Sequence, residues 1–320
     1  MTYQTGGLIQ TSDYNGFINN NASANINAIW NTAYGQNALT AVATGDIISA
    51  SKWAALFNTV NSIANHQGTT VASRINPASG SLIQALTNVG TDITNCTSNI
   101  LNAATSGTPY SAWTGTTSKT AATGSGTSSW SITFTSTITF NSASAASNFF
   151  NAGGLIKLQF SKTSTGTTAD TSWNSFIGSS GSPTGVVANA VFFSSAGAIK
   201  TIAGTQYTGT TTQGGTGTPA TLARSVGYAQ LTASPQTIYQ QLDPAAPYTG
   251  YYVKVTAQST GTTLTFVTTW FSTGGVISGG SATSASTFGT APTTLVTYIP
   301  PETTYLSNTW GTPTITSSVA

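Results

Sequence analysis

Trp130-Ser131-Ile132-Thr133-Phe134-Thr135-Ser136-Thr137-Ile138-Thr139-Phe140 sets apolar residues against hydroxyl residues almost without interruption. Successive side chains of an extended chain point to opposite faces, so the stretch predicts a half-buried strand or hairpin. Trp130, Ile132, Phe134, Ile138 and Phe140 fall on the core face, while β-branched Thr suits the pleated outer face. Asn141 or Ser142 can then cap a short helix over 143–150, ended by Gly153 and Gly154. A second strand follows, with Ile156, Leu158 and Phe160 on one face and Lys157 and Gln159 on the other.

Further strand candidates are Val186–Phe193, Ile199–Ala203, Ser225–Leu231, Tyr251–Ala257, Thr263–Phe271 and Thr294–Ile299. They are short and divided by clusters of Gly, Pro, Ser and Thr. That spacing predicts a mainly antiparallel β body, sandwich- or barrel-like. Thr208–Ala220, of low complexity, reads as a long surface loop, and no fixed-period repeat suggests a solenoid or propeller.

Upstream the texture differs. Ser12 and Asp13 can cap a helix carrying Tyr14, Phe17 and Ile18, and Ile26, Ile29 and Trp30 follow. Ser49 or Ser51 caps a clearer one, in which Trp53, Leu56, Phe57, Val60, Ile63 and Ala64 recur at helical spacing and Gly68 stands at the stop. The third segment places Leu82, Leu86, Val89, Ile93, Cys96 and Ile100 at alternating steps of four and three. This is the 3.5-residue repeat of a coiled-coil seam, with Thr, Asn and Gln where flanking charges usually sit. Two readings stand: the helix packs on the Trp53 helix within one chain, or copies of it meet around a symmetry axis. The expected fold class is therefore α+β: a helical attachment or oligomerisation region over 1–104, then a β-rich projecting domain over 105–320 whose first part, 105–129, is linker-like.

Charge is the strongest constraint on function. Eight Lys or Arg and six Asp or Glu are spread over 320 residues, for a net charge of +2, where an ordinary domain is about a quarter charged. The cations form no cluster, so nucleic acid is excluded as a partner by the lack of a basic footprint. Hydrophobic residues make up 38%, with 7 Trp, 12 Tyr and 13 Phe, enough for a packed core. Met1–Gln10 lacks the basic flank and apolar run of a secretory signal, no apolar run is long enough to span a membrane, and the single Cys96 cannot form an internal disulfide.

The acids are Asp13, Asp46, Asp92, Asp170, Asp243 and Glu302. Asp13 and Asp92 sit at cap or helix-face positions, and Asp243 and Glu302 adjoin prolines in turns. Only Asp46 and Asp170 remain for a hydrolase, which makes that reading the weakest. His66, the sole histidine, stands at a helix C-terminus without a nucleophile motif near it, and Cys96 suits a seam better than an active site. No catalytic, metal or cofactor residues are predicted. Trp113, Trp173 and Trp270 lie among hydroxyl and amide residues and could stack on sugar rings; the alternative reading, preferred here, places them in the core.

Four segments taken in order, Ala64-Asn65-His66-Gln67-Gly68, Ile93 to Ala103, Ser131 to Phe140, and Phe149-Phe150-Asn151-Ala152-Gly153-Gly154, resemble structural proteins of tailed bacteriophages, particularly marine and cyanobacterial ones. The resemblance covers residues 10 to 180 and supplies no catalytic residues. It implies a non-enzymatic virion component, such as a tail fibre, collar or capsid appendage, assembled in the host cytoplasm. Its expected partners are copies of itself, as a homotrimer through the Leu82–Ile100 seam, and other virion proteins. A carbohydrate-binding adhesin contacting host surface glycans is the alternative.

Overall fold

The alternating stretch forms one unbroken strand in the computed structural model, which describes residues 10–19, 25–78, 86–103, 117–118, 129–162, 168–177, 190–194, 197–202, 205–208, 231–243, 246–273, 277–278, 281–282 and 292–320. Strand β2 (Trp130–Thr139) follows the short β1 (Thr117–Ser118), and its side chains are buried at every second position. A hairpin does not form because no turn residue interrupts the run. Ser136 keeps the inward phase between Phe134 and Ile138, and its hydroxyl meets Ser317 Oγ at 2.8 Å, so this buried polar group is satisfied.

The remaining β elements in chain order are β3 (Leu155–Ser161), β4 (Ala190–Ser194), β5 (Gly197–Ile202), β6 (Thr205–Thr208), β7 (Gln236–Leu242), β8 (Tyr252–Ser259), β9 (Thr263–Ser272), β10 (Ile277–Ser278), β11 (Ser281–Ala282), β12 (Thr293–Ile299) and β13 (Thr314–Val319). One antiparallel sheet has the order β13-β2-β9-β8-β7 and another β1-β12-β3-β4-β5-β6, with β10 and β11 forming a small ribbon. The inner faces meet through aromatic rings: Phe160 of β3 lies edge-on to Trp270 of β9, and Phe193 of β4 edge-on to Phe266 of β9, with centroids 6.4 and 5.3 Å apart. Such contacts favour edge-to-face geometry because ring edges and faces carry opposite partial charge.

The helices are α1 (Thr11–Ile18), α2 (Ala50–Gln67), α3 (Leu86–Ser98), α4 (Ala143–Asn151) and α5 (Thr168–Ile177), with a π-helical turn at Ala28–Ala33. The chain is α+β, with antiparallel sheets. Ser49 caps α2 by accepting from Lys52 N–H, and Gly68 ends it at φ 68°, a left-handed conformation that glycine adopts without strain. Ser142 caps α4 through Ala145 N–H at 3.0 Å. At α1 the cap is Gln10 rather than Ser12 or Asp13; Asp13 stands one turn in and accepts from Gln10 N–H at 2.9 Å.

Some expectations shift. The strand predicted at 186–193 is β4, its first residues lying outside the described chain, as does most of Ser225–Leu231. Helix α5 and strands β6, β7 and β13 are additions. A single core cluster runs from Tyr14 through the helices and both sheets to Trp310, crossing the 1–104 and 105–320 boundary without a break.

Candidate functional site

The heptad residues are placed as follows. Val89, Ile93 and Cys96 are fully buried within one chain, in the core shared with α1 and α2. Ile100 is half-buried against the same core, Leu86 opens α3, and Leu82 lies outside the described residues. Val89, Ile93 and Cys96 are thus covered by intramolecular packing, which leaves these three residues no surface for a symmetry axis. Burial pushes the Cys96 thiol up to about 11, so it stays protonated and packs as a small apolar group.

Trp173 and Trp270 likewise prove to be core residues. Trp173 of α5 stacks on Tyr251 at 5.3 Å and on Trp270 at 5.5 Å, and both indoles are fully buried. Their faces are occupied by one another, so neither can receive a sugar. Trp113 lies outside the described residues.

The carboxylates are structural wherever their side chains are described. Asp13 closes the first turn of α1. Asp46 accepts from Ala43 N–H in an exposed turn at 3.3 Å. Asp92 pairs with Arg74 and also accepts from Ala72 N–H at 3.1 Å, while the Arg74 guanidinium lies 5.7 Å over the Phe57 ring. Together these contacts clamp the segment after α2 onto α2 and α3. Buried Asp243 accepts from Ser172 Oγ at 2.5 Å, joining β7 to α5. Glu302 accepts from Thr304 Oγ1 and from the Thr303 and Thr304 amides, and these donors, the Thr304 hydroxyl foremost, hold its carboxyl below the usual range. Among the described residues no group of three His, Cys, Asp or Glu could hold a metal ion, and no helix is long and apolar enough to cross a membrane.

The most concentrated polar chemistry is a buried joint where the helices meet the β body. Gln36 donates from Nε2 to Tyr34 O and Ser307 O, both at 2.9 Å, and accepts from Ser307 N–H at 2.9 Å. Asn151 of α4 donates to Ala33 O at 3.1 Å. Gly35, at φ 70°, lets the chain pass between Asn148 and Thr309; a Cβ there would collide with both side chains. Gln67 of α2 donates to Tyr34 Oη at 2.7 Å and to Cys96 O at 3.0 Å, tying α2, α3 and the joint together. His66 completes it. The imidazole sits edge-on to the Tyr34 ring, and Nε2 lies 2.9 Å from Ala152 O at the end of α4. A carbonyl can only accept, so Nε2 carries the proton; Nδ1 is buried without a partner.

The sequence alone assigns Gln36 no role. No local signal could have found it, because its partner Ser307 is 271 positions away. No family model, no curated protein and no solved structure matches the chain.

Proposed function

We propose that this chain is a non-enzymatic structural component of a tailed-phage virion, a tail-fibre, collar or capsid appendage protein assembled in the host cytoplasm. The observation that carries the reading is the use made of its few charges. The described carboxylates cap a helix, close turns or hold elements together, and the sole histidine supports a joint. General acid–base chemistry needs titratable groups converging on a substrate, and these are dispersed and internally bonded. What remains for the exterior is hydroxyl and amide, suited to neutral packing among neighbouring proteins. The resemblance over residues 10 to 180 supplies the particle. In this reading the helical region attaches to the virion and the sheets project.

We do not carry a homotrimer through α3 into this reading, since Val89, Ile93 and Cys96 are buried within one chain. Mass spectrometry of purified particles, with immunogold labelling to locate the chain, tests the proposal. Stoichiometric recovery with particles and labelling of an external feature is expected. A chain that remains in the particle-free lysate would overturn it.

A further inference from the structure

The five-stranded sheet ends in two unlike edges. At β7 the pairing with β8 slips between Thr237 and Tyr239, a bulge, and α5 lies beside the strand. Bulging and covering are common ways of blunting an edge against further pairing. At β13 no bulge appears and no helix lies alongside among the described residues. Thr314–Val319 pairs with β2 residue for residue from Thr314↔Thr139 to Val319↔Phe134, with no slip, charge or proline inside the strand. Short β1 of the other sheet lies close to β13 but hydrogen-bonds only β12 among the described residues.

The phase of the exposed ladder follows from one pair. Thr133 and Ala320 exchange both backbone hydrogen bonds, at 2.8 and 2.9 Å. In an antiparallel pair such doubly bonded partners alternate, so Thr314, Thr316 and Ser318 also turn their amides towards β2. Ile315, Ser317 and Val319 therefore turn theirs outward. Ile315 and Val319 are the same residues whose side chains pack on the core, while Thr314, Thr316 and Ser318 expose theirs.

We propose that β13 is a self-association edge, and that a second copy of this chain adds its own β13 antiparallel about a two-fold axis through Ser317. This rests on the reading of the chain as a virion structural component. The edge is complementary to itself. Centring the pair on Ser317 sets Ile315 opposite Val319 of the other copy, so both apolar residues extend the inner face. Every outward amide then meets an outward carbonyl. The exposed row is equally compatible: Thr316 faces Ser318, with no charge to repel. A one-residue slip would break the hydrogen-bond phase and set apolar side chains against the exposed row, so the register is specified. The partner is thus a copy of the same strand, giving an isologous contact that joins two five-stranded sheets into one.

Sedimentation velocity on the full chain across a concentration series, with residue-resolved amide exchange, tests this. A reversible monomer–dimer equilibrium is expected, in which the Ile315, Ser317 and Val319 amides become protected only as dimer forms, while those of Thr316 and Ser318 are protected throughout. The double variant Thr316→Lys/Ser318→Lys changes only exposed side chains and sets like charges directly across the axis; it should weaken the dimer at least tenfold, with an unchanged melting temperature at dilutions where both proteins are monomeric. Mixing it with Thr316→Glu/Ser318→Glu should restore association, because the antiparallel register sets each introduced cation opposite an introduced anion. A chain that stays monomeric at every concentration, a lysine variant that dimerises like the wild type, or outward amides that stay unprotected in the dimer would each overturn the proposal. Recovery of the chain with particles would be unaffected by that failure, so the two readings fail separately.

Discussion

His66 shows how one residue can set the pH response of a whole chain. Burial lowers its pKa below the ordinary value of 6.5, partly offset by the bond to Ala152 O and by Glu302. Protonation would place a charge in the core and create an Nδ1–H with nothing to receive it. The unfolded chain gains a proton near pH 6.5 while the folded chain resists it, so stability is full above that value and declines as pH falls below it. One proton limits the slope to about 1.4 kcal/mol per pH unit. No other histidine exists, so the interval from pH 6.5 to 5 is the one in which this side chain is tested. Urea unfolding midpoints should fall across that interval in the wild type and stay level in His66→Gln. An equal fall in both would remove His66 from the account.

At the scale of elements, α3 separates what a sequence pattern can say from what it cannot. Its 3.5-residue spacing correctly marks a buried face, yet periodicity carries no information about which surface covers it. Because Val89, Ile93 and Cys96 are covered within the chain, Ile93→Ala should cost about 2–5 kcal/mol through the cavity it leaves, and the native mass of the folded protein should not change. Dissociation of an assembly without loss of monomer stability would instead restore the seam between copies. The same distinction explains the tryptophans: Trp173 reads identically on a binding face and in the centre of an aromatic stack. Helix α2 and strands β2, β8, β9 and β12 were legible because caps and alternation are local. Strand β7 was not, because Gln241 occupies an inward position, where the Tyr239 hydroxyl donates to its side chain, and it reads as polar surface. Strand β13 escaped for a related reason, since Ser317 interrupts an inward row of only a few residues.

For the whole molecule, the boundary near residue 104 separates helical texture from β texture, but the core does not stop there. Tyr14, Trp53 and Ile93 belong to the same buried cluster as Phe149, Phe266 and Trp310. The polar joint adds direction to that continuity: the bonds of Gln36, Asn151 and His66 each cross between the 1–104 and 105–320 parts, at positions fixed by hydrogen-bond geometry rather than by apolar contact alone. Neither part can open without exposing apolar surface and orphaning these groups. The helical and β regions should therefore unfold together, giving one calorimetric transition whose enthalpy equals the van't Hoff value. Gln36→Ala tests the coupling. It leaves Ser307 N–H and Ser307 O without their Gln36 partner, a loss of about 1–3 kcal/mol, and should lower the helix signal at 222 nm and the near-ultraviolet signal of the buried tryptophans at the same temperature. If the variant or the wild type instead showed two resolved transitions, with the helices melting first, the joint would be a contact between independent units and its amides would serve orientation rather than stability.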